Sequence, residues 1–168
     1  MSRISSRIAL IGVGAVLVAA GVAGCGGSSD DSSSDALSKD DYIAQANEIC
    51  SNLTADVAGL GDDFSSSYGS GEYEAASITL SDGNDKINTA LDELKALTPP
   101  EEDQATIDEY LSLNDDQSEI SDQLVDAVAD GDDTKIKDLG AQIDELQVKS
   151  DKIADDYGIT ECGSASNA

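Results

Sequence analysis

The sequence predicts an all-α fold, an antiparallel up-down four-helix bundle set behind an N-terminal apolar segment and a flexible linker. Three observations predict it. Apolar residues recur at spacings of three and four along four separate stretches. Pro, Gly and Asp clusters fall between those stretches, at places where helices stop and start. No segment alternates apolar and polar residues in the manner of a half-buried strand.

The first 24 residues stand apart from the fold. Arg3 and Arg7 give a short basic head, and Ile8 to Val22 is an uncharged run of Ile, Leu, Val, Ala and Gly. A basic head, an apolar middle and small residues at the end make a secretory signal peptide, residues 1–24, absent from the mature chain. The run is shorter than the roughly 20 apolar residues of a membrane span. Val22-Ala23-Gly24-Cys25 resembles the lipobox of bacterial lipoproteins: an aliphatic residue and two small ones before the cysteine that receives diacylglycerol. The resemblance implies cleavage before Cys25, acylation of its thiol, and a protein held by membrane lipid on the extracytoplasmic face of the cell membrane. Each buried acyl CH₂ contributes about 0.8 kcal/mol and one chain binds only marginally, so two or three chains make release negligible. Residues 25–38, including Gly26-Gly-Ser-Ser-Asp-Asp-Ser-Ser-Ser-Asp35, read as a lipid-anchored flexible linker spanning roughly 20 Å.

Residues 39–163 read as the bundle. The first helix carries Ala46, Ile49 and Cys50, Leu53, Val57 and Leu60 on one face. The second carries Ala76, Leu80, Ile87, Leu91 and Leu94, weakened by Gly83. The third carries Ile107, Tyr110 and Leu111, Ile120, Leu124 and Val128, and the fourth Ile136, Leu139, Ile143, Leu146, Ser150, Ile153 and Tyr157. Such stripes are the seam of packed helices. Gly59 to Tyr73, rich in Gly, Ser and Asp, reads as the longest loop. Thr98-Pro99-Pro100-Glu101 matches a capping box. Gly131 followed by Asp132 and Asp133 offers a helix stop and then an N-cap. Tyr157-Gly158-Ile159 has the form of a Schellman ending, and residues 164–168 read as a disordered tail.

With Cys25 lipidated, Cys50 and Cys162 remain, and export favours a disulfide between them; two free thiols are the alternative. The chain has no His and no CxxC, which argues against a metal–thiolate site. In up-down order the start of the first helix and the end of the fourth share a pole. Cys50 lies roughly 16 Å along the first helix. The four residues after Gly158 reach back about 13 Å, so the two sulfurs meet if the tail folds along that helix.

Behind residue 24 the chain holds 7 Lys and no Arg against 35 Asp and Glu, a net of −28. That charge repels phosphate backbones and excludes nucleic acid as a partner. It suits solubility in an exposed or salty compartment, and the Asp excess points to a halotolerant source. Enzyme signatures are missing: no His activates a nucleophile, and no Trp stacks a sugar beside paired carboxylates. Asp126 to Lys137 fits an EF-hand loop at Asp126, Asp130 and Gly131. It fails at Val128 and at Lys137, where a bidentate Glu is required. No enzyme, resident metal or cofactor is therefore expected.

Three further stretches, Ala44-Gln-Ala-Asn-Glu-Ile-Cys50, Leu94-Lys-Ala-Leu-Thr-Pro-Pro100 and Tyr157-Gly-Ile-Thr-Glu-Cys-Gly163, resemble small secreted helical lipoproteins of actinobacteria. The resemblance implies a paired-cysteine helical domain outside the cytoplasmic membrane, a location more than a mechanism. The pole away from the linker gathers Asp62, Asp63, Phe64, Tyr68, Asp130, Asp132 and Asp133, the one surface where acids, aromatics and irregular backbone converge. It is the candidate interaction site, for an envelope protein or a cationic ligand, in a non-enzymatic binding module. A structural or spacer lipoprotein that recognises nothing, and an acidic module that holds Ca²⁺ weakly, are the two alternatives.

Overall fold

The computed structural model describes residues 36–164; the expected signal peptide, Cys25 and most of the expected linker lie outside the described residues. Among the described residues every regular element is helical. Four long helices, α1 (Lys39–Val57), α3 (Tyr73–Ala96), α4 (Gln104–Asp130) and α5 (Asp133–Tyr157), are joined by a shorter one, α2 (Leu60–Gly69). Single 3₁₀ turns occur at Glu101–Asp103 and Thr160–Cys162. The helical bundle and the Cys50–Cys162 disulfide, with Cα atoms 5.1 Å apart, agree with the sequence.

The fold begins two residues earlier than the linker boundary at 38. Leu37 donates its N–H to the Thr98 carbonyl at 2.8 Å and packs against the core, and Ser38 accepts from the Asp41 N–H at 3.2 Å as the N-cap of α1. Ser164, expected in the tail, donates through its hydroxyl to Asp155 at 2.7 Å.

One core cluster gathers at the entry of the chain. Tyr42, Ala46 and Cys50 of α1 meet Leu94 near the end of α3, and Ile107 and Tyr110 near the start of α4. Ala154, Tyr157 and Ile159 from the end of α5 complete it. Gly158, at φ 108°, ends α5, and the Ile159 N–H bonds the Ala154 carbonyl at 3.0 Å. This is the expected Schellman ending, and it drives Ile159 into the core at 0% exposure. The tail then lies on α1, where the Asn47 side chain receives the Glu161 N–H at 3.0 Å and donates to the Gly158 carbonyl at 3.3 Å.

Two expectations fail. The 59–73 stretch is largely the helix α2, because Leu60, Phe64 and Tyr68 fall four residues apart on one face and pack that face on α3. Asp62 and Asp63 in its first turn favour the positive end of the helix. The capping box at Thr98 does not form. Glu101–Asp103 is a 3₁₀ turn and Asp103 occupies the N-cap of α4 without capping it, since its carboxylate accepts from the Tyr157 hydroxyl at 2.9 Å and meets Lys39 at 3.5 Å.

Candidate functional site

The expected interaction pole is built where the end of α2, the start of α3 and the α4–α5 turn come together. Phe64 and Tyr68 stack with ring centroids 5.7 Å apart, and Tyr68 meets Tyr73 at 5.3 Å. Tyr73 lies against the turn at Gly131, where an added Cβ would come within 2.7 Å of the ring. Gly131 adopts φ 65° to close α4. Asp132 then caps α5, accepting from the N–H groups of Thr134 and Lys135 at 3.2 and 3.0 Å. Asp133 accepts the Tyr68 hydroxyl at 2.5 Å across 65 residues of sequence. That hydrogen bond, more than burial, pushes the Tyr68 phenol up to about 12.

Phe64, Tyr68, Asp132 and Asp133 are thus brought together as expected. Asp130 is exposed at the last position of α4. Asp62 and Asp63 stand in the first turn of α2, next to Phe64 and at the far end of that helix from Tyr68; Leu60 at the same end sits against Gly83, roughly 15 Å along α3 from Tyr73. Tyr73 and Gly131 complete the pole; the helical spacing of Leu60, Phe64 and Tyr68 was the signal that placed Tyr68 beside the start of α3.

The chemistry of this surface is that of ring faces and oxygen acceptors. Tyr73 remains 38% exposed beside them, and the five Asp side chains of the predicted set are all exposed. Ring faces and carboxylates together attract cations. Among the described residues no three Asp, Glu or Cys side chains are grouped to hold a metal ion, which leaves the weak Ca²⁺ reading without a ligand set there. Gly131→Ala is expected to lower the unfolding free energy by at least about 1 kcal/mol, from the left-handed backbone alone, and more once the Tyr73 ring is displaced. Ile78→Ala, at a position 57% exposed, should change it by less than about 0.5 kcal/mol. Urea denaturation of the two variants measures the difference.

The opposite pole is a second aromatic and ionic cluster. Lys39 stands 4.0 Å over the Tyr157 ring, and Tyr42 meets Tyr157 edge-to-face at 5.9 Å. Tyr110 and Tyr157, on the expected seams of the third and fourth predicted helices, are buried, and so is Tyr42. Burial first, and for Tyr157 the Asp103 hydrogen bond after it, raises the Tyr110 and Tyr157 phenols above their ordinary value.

In comparison with known proteins, no family model, no curated sequence and no solved structure matches the chain. Among the described residues no helix is long and apolar enough to cross a membrane.

Proposed function

We propose that this protein is a membrane-anchored extracytoplasmic lipoprotein whose helical domain is a non-enzymatic binding module. The observation that carries the reading is Val22-Ala23-Gly24-Cys25, placed directly after a basic head and an apolar run. A disulfide closing the domain fits an oxidising compartment outside the cytoplasm. The Gly, Ser and Asp composition of residues 26–35 suits a linker between the anchor and the domain. The absence of His from the whole chain supports binding over catalysis, since the commonest general base is missing.

The helices run up and down in this reading. The support is that the start of α1, the end of α3, the start of α4 and the end of α5 share one core cluster. The linker enters at that pole, which faces the bilayer, and the Phe64–Tyr68–Tyr73 pole points outward. Its exposed ring and carboxylates suit a cationic envelope partner, and the lipid partner is reached through acylated Cys25.

The test is site-specific photocrosslinking of the full chain in intact membranes, with the photoreactive residue at Asp130 or, as control, at Val148. A binding module yields a discrete adduct from position 130 that is absent from 148 and is lost in Tyr73→Ala. The same diffuse adducts from both positions contradict the proposal and favour a spacer.

A further inference from the structure

A cleft open to solvent lies beside the disulfide. A cavity of about 250 Å³ opens between α1, α3, α4 and α5. One wall is apolar, made by Leu53, Val57, Ile87, Ala90, Leu91 and Leu94. The other is polar, with Asn114, Gln117, Ser150 and Asp151, and with Glu161 of the tail at its rim. Ile87 belongs to the expected seam of α3 and is nevertheless 43% exposed, because at this level α1 and α3 leave a gap where it lines the cavity.

The polar wall has a definite sign. Asn114 donates its amide N–H to the Tyr110 carbonyl at 2.8 Å, and Gln117 donates to the Ser150 hydroxyl at 3.2 Å. Ser150 in turn donates to the Gln147 carbonyl at 3.1 Å. Each of these two amides thus spends one N–H inside the wall and keeps its second N–H and its carbonyl oxygen; the sign of the wall comes from its carboxylates. Two carboxylates, Asp151 and Glu161, add negative charge, and the lining residues include no Lys or Arg. After burial and Tyr42, the charge of Asp151 is a further cause that raises the buried Tyr110 phenol, so its field reaches into this wall.

We infer that this cavity is a binding site for a small amphipathic cation: an ammonium head held by Asp151 and the carbonyl oxygens of Asn114 and Gln117, and a short aliphatic body lying against Leu53, Ile87 and Leu91. The size agrees. An apolar cavity of about 150 Å³ holds one benzene, so this one takes a molecule of roughly ten non-hydrogen atoms, below the size of a typical drug site. An apolar wall with a few convergent polar groups is the general form of small-ligand sites. An anion is rejected by the carboxylates, and a neutral alcohol brings them no charge. The site does not depend on the lipid anchor or on the aromatic pole.

The probe is n-hexylammonium, with n-hexanol and hexanoate as matched controls, titrated into the purified full chain with its disulfide oxidised. Binding is read from the melting temperature and from methyl NMR shifts. Hexylammonium at up to about 10 mM is expected to raise the melting temperature and to shift the methyls of Leu53, Ile87 and Leu91. Asp151→Asn is expected to weaken it roughly tenfold, and Ala90→Leu, which fills the cavity, to abolish it. Should Ala90→Leu not fold, Asp151→Asn at unchanged methyl dispersion carries the test alone. Equal responses to the three probes, shifts confined to exposed Ile78 and Val148, an undiminished Asp151→Asn response, or no response at all overturn the inference.

Discussion

Reducing the Cys50–Cys162 disulfide, or replacing both cysteines by Ser, is expected to lower the unfolding free energy by up to about 4–5 kcal/mol. The bond joins residues 112 apart in sequence, and the chain-entropy model assigns about 4.7 kcal/mol to a loop of roughly this length. For a domain of this size that corresponds to a fall in melting temperature of roughly 10–20 °C. The effect is not uniform along the chain. The principal neighbours of α1 are α3 and the 3₁₀ turn at Thr160–Cys162. Without the disulfide that turn is held by Ile159 in the core and by two hydrogen bonds to Asn47. Hydrogen exchange after reduction should therefore accelerate first in α1 and the tail, ahead of α4 and α5. A melting temperature that moves by less than about 2 °C contradicts this account of how the tail holds α1.

Alkali is expected to unfold the domain cooperatively between about pH 10 and pH 12. Tyr42 is 1% exposed; burial, and after it the charge of Asp108, pushes its phenol up to about 12 from an ordinary value of 10.0. Tyr110 and Tyr157 are raised in the same direction. A raised folded-state pKa means that the native state keeps its proton where the unfolded chain has lost it. The stabilisation is therefore complete below pH 10 and vanishes as the pH climbs through the folded-state values. For Tyr42 alone it is roughly 3 kcal/mol. Tyrosinate absorbance at 295 nm should rise together with the loss of helical circular dichroism, and return to pH 7 should reverse both. Tyr42→Phe removes this term and should shift the transition upward in pH. Tyr68 is raised by a solvent-exposed hydrogen bond to Asp133, which solvent screens, so Tyr68→Phe should shift the midpoint less than Tyr42→Phe does. A transition identical in wild type and Tyr42→Phe contradicts the assignment.

What could be read from the sequence was what depends on near neighbours along the chain. The seams of the four long helices, the Asp132 cap and the Gly158 stop rest on residues within a few positions of each other. The disulfide followed from counting cysteines. What escaped was set by distant partners. Asp103 abandons the helix start for Tyr157, 54 residues away, so the Thr98–Glu101 pattern led nowhere. The Gly and Ser of 59–73 obscured an apolar face of only three residues, whose helical state becomes worthwhile once α3 lies beneath it. The candidate pole was legible as a group of Asp and aromatic residues. Its Tyr68–Asp133 bond and the contact between Tyr73 and Gly131 were not. The cavity had no sequence signal, because Ile87 and Leu53 keep the same spacing whether or not α1 and α3 close over them.

The claim on which the function rests is covalent, and intact-mass spectrometry of the native protein with its Cys25→Ser variant tests it most directly. The account predicts a mature chain that begins at Cys25, carries the added mass of a diacylglyceryl group with or without a further acyl chain, and pellets with membranes. Cys25→Ser is then uncleaved and carries no lipid. A wild-type mass equal to the bare polypeptide, or a Cys25→Ser chain matured and membrane-bound as before, contradicts it.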